Sequence, residues 1–467
     1  MLKRLFTRYI AGEARPMLSL ATPIVLAEIG WMTMSIVDTM MVGRQASSAV
    51  AIGAVSLGSI LYYVVAIFGA GLMLGLDTLV SHSYGAGDWE DAHRSLVNGI
   101  YLSLVLAPVL MGAIRLWEPL LRSLNIQQPV LTQAIPYLRA INWSTLPLLL
   151  YFVFRRYLQG INLAKPVMFS LLSANLANLI ANWTFIYGHL GFRAMGTVGS
   201  GWATCLSRVY MASVLLVYCV YYDLRYKKGL RDASPWPHIP RVWKLVSLGF
   251  PAAMQNGFEI GVFAVATALI ARLGAVALAS HQIALATASF TYMVPLGVGS
   301  AAAVRVGQAL GRHDPAGASR AGWTALALGA AFMTCSATVF WLAPGAIVRI
   351  YTSDAALIHA GSGLVFVAAF FQLFDGLQVV ATGALRGAGD TRTPMLCSAG
   401  FYWLVGLPAG SFLCFRLGWG ARGLWAGLCL ALILMGSALV YLWRRKERAF
   451  ESSEVAPNVA KTYAVRT

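Results

Sequence analysis

The stretch MLSLATPIVLAEIGWMTMSIVDTMMV, residues 17–42, decides the fold that this sequence predicts. About 20 predominantly apolar residues cross the hydrocarbon core of a bilayer as one helix, so this stretch is long enough to span a membrane. It nevertheless contains two acids, Glu28 and Asp38. A charged side chain costs at least ~3 kcal/mol at the bilayer centre, so each intramembrane acid is treated as a functional-site hypothesis.

The N-terminus begins with Lys3, Arg4 and Arg8, as a secretory signal does. The apolar run that follows is too long for a signal, carries Asp38 and lacks a small-residue cleavage site. We therefore expect a retained first span.

The composition is that of a membrane protein. Hydrophobic residues make up 58% of the 467 residues and charged residues only 11%, whereas soluble domains are about a quarter charged. The net charge is +17, but the basic residues separate apolar stretches, which indicates membrane topology rather than nucleic-acid binding. Six scattered cysteines without a CxxC pair indicate neither a disulfide framework nor a zinc site.

Apolar runs of about 20 residues recur along the chain and predict an all-α polytopic membrane protein with twelve spans. We place the spans near residues 17–42, 51–80, 95–117, 130–154, 166–188, 197–222, 243–271, 281–306, 320–343, 356–384, 394–416 and 421–443. The longest connector is basic, rich in proline and divides the chain almost in half. The predicted regions are an N-terminal lobe (1–222), a cytoplasmic connector (223–242), a C-terminal lobe (243–443) and a cytoplasmic tail (444–467).

The distribution of basic residues predicts the orientation. With both termini inside, the inner segments carry 25 of the 35 Lys and Arg residues and the outer segments carry 9. Cytoplasmic loops are enriched in Lys and Arg, so both termini are expected in the cytoplasm.

The two halves also repeat in sequence at offsets of 226 to 228 residues. The matching positions are Leu20–Pro23 with Leu248–Pro251, Gly85–Asp88 with Gly311–Asp314, Gly160 with Gly387, and Pro166 with Pro394. Six spans per repeat is an even number, so both halves share one orientation and are related by an axis along the membrane normal. Transporters of this type bind substrate between their halves.

Polar side chains in the first and fifth spans form one candidate site. Asp38 shares a helix face with Ser35 and Trp31, and Asn178 and Asn182 share a face of the fifth span. A carboxylate with amide partners could hold a proton or a desolvated cation, because hard cations take oxygen ligands. For the asparagines, hydrogen bonding between packed helices is the competing interpretation.

The seventh and tenth spans carry a second candidate site. Both spans are otherwise apolar, and their polar residues follow helical spacing: Gln255 and Glu259, then Gln372, Asp375, Gln378 and Thr382. Two carboxyl groups that share one low-dielectric site do not both ionise easily. One of them would then keep a proton near neutral pH, which is what a proton carrier requires.

Other polar and aromatic residues are assigned from their positions in the spans. Asp77 is expected to cap a helix or reach the interface, and His281 is expected to be an interfacial histidine. A cavity lined by Met and aromatic side chains would accept varied lipophilic cations. The candidate residues of such a substrate cavity are Glu28, Trp31, Met34, Gln282, Phe371 and Gln372.

The sequence lacks the motifs of ATP-driven and hydrolytic proteins. GxxxxGK[ST], HExxH and GxSxG are all absent, and no Ser/His/Asp grouping stands out. We therefore expect no enzyme activity, no cofactor and no ATP-derived energy.

Taken together, these stretches resemble the multidrug and toxic compound extrusion (MATE) family, in its NorM-like bacterial branch, over nearly the whole chain. The matching blocks are Pro23, Val37–Gly43, Ser83–Gly87, Asn178–Trp183, Phe258–Glu259, Ser280–Ala284, Val304–Gly307, Phe374–Val380 and Leu385–Gly387. The resemblance implies twelve helices in two pseudo-symmetric six-helix bundles that form a V, with efflux driven by inward Na⁺ or H⁺. It also implies that the ion-coupling residues are Asp38, Asn178, Asn182, Glu259 and Asp375.

One position departs from the NorM-like pattern. The second-lobe cation site of that branch often includes a Tyr one turn before the Asp, and here the residue is Phe371. A Na⁺ site at Glu259 and Asp375 would lose one oxygen ligand, so we expect protons rather than Na⁺ to drive transport.

The sequence therefore predicts a monomeric antiporter in the bacterial cytoplasmic (inner) membrane. It would export amphipathic, cationic drugs or toxic organic cations in exchange for H⁺ or Na⁺, and would not bind nucleic acid. A flippase for a lipid-linked or polysaccharide precursor is the nearest alternative, but it requires a strongly basic central cavity, whereas the span interiors here are acidic. A membrane-embedded enzyme would need a metal or nucleophile cluster, which the sequence does not offer.

Overall fold

The structure is a computed structural model that describes residues 2–45, 48–123, 127–230, 234 and 236–464, with the side chains of residues 12–450 within those ranges. Nearly all of these residues are helical, and no strand occurs among them. The predicted all-α class is confirmed. Arg231 and Pro235 of the predicted connector, and the side chains of Lys3, Arg4 and Arg8, lie outside this description.

The described chain contains seventeen α-helices. They are α1 Leu2–Val42, α2 Ser48–Leu72, α3 Gly75–Gly85, α4 Trp89–Arg115, α5 Trp117–Ser123, α6 Gln128–Asn142, α7 Thr145–Gly160, α8 Ala164–Tyr187, α9 Thr197–Tyr226, α10 Ile239–Ala271, α11 Ala275–Gly311, α12 Pro315–Leu342, α13 Pro344–Arg349, α14 Ala355–Gly387, α15 Arg392–Ser398, α16 Leu407–Ser411 and α17 Gly420–Ala464. Two π-helical segments, Ala399–Gly406 and Phe412–Arg416, make α15 and α16 parts of one continuous helical stretch.

Eleven helical segments of the described chain are long and apolar enough to cross a membrane. The predicted fourth span, 130–154, differs from the others because it consists of two helices, α6 and α7, that meet at Trp143 and Ser144. The polar residues Asn142, Arg155 and Arg156 are buried in this region, which lowers its apolar character. With α6 and α7 counted as one helical segment, the structure has the twelve segments that the sequence predicts.

The sequence repeat reappears as equivalent backbone geometry. Asp88 and Asp314 each cap a helix, accepting a hydrogen bond from the backbone N–H three residues later. The residues before them, Gly87 and His313, both have positive φ, at 76° and 56°. A histidine with positive φ is uncommon, so the turn imposes this conformation on both halves.

The chain forms two compact units. Unit A contains residues 26–257, and its core joins α3, α4, α7, α8 and α9 through buried side chains such as Leu76, Tyr151 and Leu171. Unit B contains residues 1–25 and 258–467. The chain passes from one unit to the other inside α1 and inside α10, two residues after Pro23 and six residues after Pro251. The domain boundaries expected from the sequence repeat stay a prediction.

Backbone contact between α11 and α14 organises unit B. A Cβ atom on Gly383 would overlap the carbonyl oxygen of Gly299, and one on Gly299 would lie 2.9 Å from the carbonyl oxygen of Val379. On another face of α14, a Cβ on Gly436 of α17 would lie 2.6 Å from the carbonyl oxygen of Phe374. Small residues allow membrane helices to approach this closely. The helix that carries Asp375 is therefore fixed from two sides.

We expect Gly383→Ala to destabilise the protein, because its methyl group would force α14 away from α11. The matched control is Gly53→Ala in α2, where no atom lies within 4 Å of the position that a Cβ would take. At an unobstructed helical position alanine is favoured over glycine by up to about 1 kcal/mol. Thermal unfolding of the purified protein in detergent should show a lower midpoint for Gly383→Ala and an unchanged or higher midpoint for Gly53→Ala. A wild-type midpoint in Gly383→Ala would contradict the close backbone contact.

Candidate functional site

Asp38 lies near the end of α1, where two other helices of unit A donate hydrogen bonds to its carboxyl group. Asn182 of α8 donates from Nδ2 to Oδ1 over 2.5 Å, and Thr204 of α9 donates from its hydroxyl to Oδ2 over 3.2 Å. The same Nδ2 of Asn182 also donates to Oδ1 of Asn178 over 3.0 Å. The structure thus brings together the three residues that the sequence assigns to this site and adds Thr204.

This cluster has hydrogen-bonding capacity that its present contacts do not use. Nδ2 of Asn178 and Oδ1 of Asn182 are buried and have no hydrogen-bond partner in the described part of the chain. Thr204 has two acceptors within reach, Asp38 and the backbone carbonyl of Ser200 at 3.0 Å, but only one hydroxyl proton. The carboxyl group can therefore gain a proton without leaving Thr204 unpaired, because the hydroxyl can turn to Ser200.

A cavity within unit A reaches Asp38 and has aromatic walls. Trp31 and Met34 of α1 line it, as two of the residues that the sequence assigns to a substrate cavity. Tyr63 and Tyr137 line it from α2 and α6, and Tyr137 is 2.8 Å from the hydroxyl of Ser59. The walls are apolar over much of their area and polar at the hydroxyl groups and at Asp38.

Arg208 of α9 shares this cavity with Asp38, and the sequence analysis gives it no role. Its side chain is fully buried, donates to Ser144 over 2.5 Å and to Tyr63 over 3.2 Å, and lies 4.8 Å from the ring centre of Tyr62. No carboxylate oxygen of the described residues lies within ion-pair distance of it. Its charge is held by hydroxyl groups and aromatic faces, an arrangement that stabilises guanidinium groups. A basic residue inside an apolar span was the available signal in the sequence.

Glu259 and Asp375 meet in unit B. Nε2 of Gln378 lies 3.4 Å from an oxygen of each acid, so the two carboxyl groups flank one amide. Tyr292 of α11 also donates to Glu259, over 3.2 Å. Gln255, which the sequence groups with Glu259, belongs to the other unit.

The remaining residues assigned to a substrate cavity are dispersed. Phe371 is buried and packs against Trp425, with ring centres 5.9 Å apart. Gln372 is fully buried and donates to Thr291 and Ser336 over 2.8 and 2.9 Å, so it joins α14 to α11 and α12 rather than to the acids. Gln282 is exposed on α11.

Two other intramembrane acids form ion pairs with consecutive arginines of α7. Glu28, the last of the assigned cavity residues, pairs with Arg155, and Asp77 pairs with Arg156 over 3.4 Å. The expectation that Asp77 reaches the interface is wrong, because its side chain is buried and its charge is paired where it lies, in the first turn of α3. Neither pair is predicted from the sequence, because both arginines follow the predicted fourth span (130–154) and fall in the inner loop after it.

The position of His281 also differs from the one expected from the sequence. It is fully buried rather than interfacial. Nδ1 accepts a hydrogen bond from the indole N–H of Trp425 over 2.9 Å, and Nε2 lies 2.8 Å from the hydroxyl of Thr267. Because Nδ1 accepts, the ring proton sits on Nε2, and the histidine joins α10, α11 and α17 as a neutral group.

The arrangement of these groups suits the exchange of an ion. Among the described residues no group of three or more His, Cys, Asp or Glu side chains is placed to hold a metal ion. Each unit instead has a carboxyl cluster surrounded by hydroxyl and amide groups, which can exchange a proton or a monovalent cation.

The family model described as MatE matches residues 23–184 and again residues 251–411. The two matches begin 228 residues apart and end 227 apart, which is the offset of the sequence repeat.

Curated relatives match nearly the whole chain. The "Probable multidrug resistance protein NorM" of Mesorhizobium japonicum is 36% identical over 93% of this chain and 94% of its own length. The "Multidrug resistance protein NorM" of Burkholderia vietnamiensis is 35% identical over 94% of both chains. Among solved structures, a eukaryotic MATE transporter has a TM-score of 0.84 at 19% identity and covers 95% of this chain, so the two share a fold.

The ion pair of Glu28 and Arg155 gives a test of the buried charges. Arg155→Gln should destabilise the protein by about 3–5 kcal/mol, because it leaves a buried carboxylate without its partner. Replacing both residues by glutamine should restore much of that loss, since neither charge then remains. Arg94→Gln, which breaks an exposed pair with Glu90, serves as the control and should cost at most about 1 kcal/mol. The free energy of unfolding of these three variants is measured by chemical unfolding in mixed micelles. A double variant no more stable than Arg155→Gln would contradict the pairing.

Proposed function

The chain belongs to the MatE family, and on that premise we propose that it is a multidrug efflux antiporter, which exports amphipathic cationic compounds in exchange for H⁺ or Na⁺. The observation that carries this proposal is the pair of carboxyl clusters, one in each unit, around Asp38 and around Glu259 with Asp375. The names of the bacterial relatives, multidrug resistance proteins, agree with it.

In unit A the coupling ion would bind at Asp38, with Asn178 and Asn182 as its supporting residues. The two asparagines are fully buried, and each has a side-chain polar atom without a partner in the described structure. If these side chains served packing alone, their buried polar atoms would remain without hydrogen-bond partners. An ion or proton bound at Asp38 would give those atoms a partner. The cavity beside Asp38 has a volume of about 40 Å³, which is the size of a water molecule or a monovalent ion, so it would serve the coupling ion rather than hold a substrate.

In unit B the coupling ion would bind between Glu259 and Asp375. Both groups that contact Glu259, Tyr292 and Gln378, are in hydrogen-bond donor positions. A Na⁺ ion needs several oxygen ligands, and Phe371 supplies none. A proton shared by two neighbouring carboxyl groups needs only the carboxyl oxygens, so protons are the favoured coupling ion.

One proton is sufficient to drive useful export. A charge that moves through an assumed potential of about 100 mV releases about 2.3 kcal/mol, which corresponds to roughly a 50-fold electrochemical ratio of substrate across the membrane. One titrating carboxyl group per cycle therefore meets the energetic requirement.

The flippase alternative is not favoured. A site for lipid-linked phosphates requires an excess of basic residues, but the cavity beside Asp38 is lined by one carboxylate and one guanidinium, that of Arg208. An enzyme is not favoured either, because the MatE family consists of transporters.

The chain is a multi-pass membrane protein, since eleven described segments have the length and apolar character of spans. We place it in the bacterial inner membrane, as a monomer with both termini in the cytoplasm. Arg155 and Arg156, buried in α7, do not contribute to the basic charge of an inner loop. Without them the inner segments still carry more than twice as many Lys and Arg residues as the outer ones, which supports the proposed orientation.

Asp38→Asn should abolish ion-driven efflux while expression and folding remain, because the amide cannot exchange a proton. The matched control is Glu90→Gln, an acid of the same unit whose side chain is 74% exposed. The measurement is ethidium export from proteoliposomes under an imposed pH gradient. Efflux by Asp38→Asn at more than half the wild-type rate would remove Asp38 from the coupling mechanism.

Transport should respond to a pH gradient in the absence of Na⁺. The reason is that Phe371 offers no oxygen ligand to Na⁺, whereas two carboxyl groups beside one amide do not both ionise easily. Ethidium export is measured under a fixed pH gradient while Na⁺ is lowered to trace levels, with K⁺ replacing it. Efflux that collapses and returns only when Na⁺ is restored would show that Na⁺ is the coupling ion.

A further inference from the structure

Arg208 is a buried guanidinium that has no carboxylate at ion-pair distance in the described part of the chain. It differs in this from Arg155 and Arg156, the other buried arginines of unit A, which pair with Glu28 and Asp77. A buried charge that served the fold alone would be expected to have such a partner, because an unpaired one is costly. The position of Arg208 therefore indicates a function for the charge itself.

Arg208 and Asp38 are the two charged residues that line the small cavity of unit A. The other titratable side chains of its lining are two phenols, Tyr63 and Tyr137, which carry no charge near neutral pH. The cavity volume of about 40 Å³ is enough for about one water molecule or one monovalent ion. Since a guanidinium does not lose its proton in a protein, an ion that binds at Asp38 shares this space with a permanent positive charge. Water does little to screen the two charges from each other there.

The oxygen atoms beside Arg208 are already directed toward its guanidinium group. The hydroxyl of Tyr63 accepts a hydrogen bond from Nη2 over 3.2 Å, and that of Ser144 accepts one from Nη1 over 2.5 Å. Na⁺ binds through the lone pairs of several oxygen ligands. A Na⁺ ion that used these hydroxyl groups would lie against the N–H groups of Arg208 and would be repelled by them.

The groups that contact Asp38 are also hydrogen-bond donors. Nδ2 of Asn182 and the hydroxyl of Thr204 both direct hydrogens at the carboxyl oxygens. A metal ion would have to displace these hydrogens, whereas a proton needs only one oxygen of the carboxyl group. The hydroxyl of Thr204 can then turn to the carbonyl of Ser200, which is 3.0 Å away. Protonation of Asp38 therefore requires neither Arg208 nor Asn182 to move.

We propose that Arg208 determines the ion specificity at Asp38, because its fixed charge admits a proton to the carboxyl group and excludes Na⁺ from the cavity. This role depends on the coupling function that is proposed for Asp38. Selectivity for protons in unit A would then lie with an arginine, whereas in unit B it lies with the missing oxygen ligand at Phe371. Arg208 exchanges no proton itself and acts on the ion through its charge.

The test is the labelling of Asp38 by a hydrophobic carbodiimide in the purified full-length protein, in KCl and in NaCl of equal concentration. Each protein is labelled at the pH at which half of its Asp38 reacts in KCl, and mass spectrometry quantifies the modified residue. The wild type should label equally in both salts, because Na⁺ does not reach the carboxylate. In Arg208→Gln, Na⁺ at about ten times its dissociation constant should lower the labelling about tenfold, because the bound ion excludes the proton.

Three further variants separate the charge of Arg208 from its packing. Arg208→Lys keeps the positive charge and should label equally in both salts. Arg225→Gln removes an exposed charge from the same helix and should also label equally. Arg208→Met has a similar length without a charge, so it should respond to Na⁺ as Arg208→Gln does, and it replaces that variant if the glutamine form does not fold. A purely structural role of Arg208 would lower the stability of these variants but would not create a response to Na⁺.

Protection of wild-type Asp38 by Na⁺ would overturn the proposal, and this result does not depend on the folding of any variant. Equal labelling of folded Arg208→Gln or Arg208→Met in the two salts would also overturn it, as would protection of Arg208→Lys by Na⁺. Because labelling does not require transport, failure of the proposed function is measured separately. It would appear as the absence of ethidium export by the wild type under a pH gradient.

Discussion

A charged side chain inside an apolar helix has to be neutralised or hydrogen-bonded where it lies, and the polar interior of both units follows from this requirement. Glu28 and Asp77 meet it by pairing with arginines of α7. Asp38 accepts hydrogen bonds from an amide and from a hydroxyl group, and Glu259 and Asp375 both lie beside the side-chain amide of one glutamine. The first two acids have fixed counter-charges, so they serve the fold. The other three lack one at ion-pair distance, so they are free to change their protonation.

The same requirement explains the surroundings of Arg208. Its guanidinium group lies against two tyrosines and a serine rather than against an acid, although it lines the same cavity as Asp38. When Asp38 is ionised, the two charges attract each other across the cavity, and when Asp38 is protonated the arginine loses that attraction. Protonation of Asp38 therefore affects α2, through Tyr62 and Tyr63, and the start of α7, through Ser144, because these residues hold Arg208. This is a physical route from ion binding to helix packing within unit A.

Periodicity and residue type predict the helices and most of the candidate site, because both are local properties. The spacing of Asn178 and Asn182 and the stripe around Asp375 place these residues correctly on their helices. Partners that are distant in sequence are not predictable in this way. Thr204 and Asp38 are 166 residues apart in the sequence, and Arg155 and Glu28 are 127 apart. No local pattern in the sequence indicates that either pair is in contact. Asp77 and His281 were misjudged for the same reason, since their surroundings consist of side chains from other helices.

The most direct test of this account is chemical labelling of the carboxyl groups. A hydrophobic carbodiimide reacts with protonated acids inside a membrane, and mass spectrometry locates the modified residues in the purified protein. The account predicts labelling of Asp38 and of Glu259 or Asp375 that declines as the pH rises, with none on Glu28 or Asp77 at any pH at which the protein is folded. Labelling of Glu28 or Asp77 with Asp38 unmodified would contradict the division between coupling acids and structural acids.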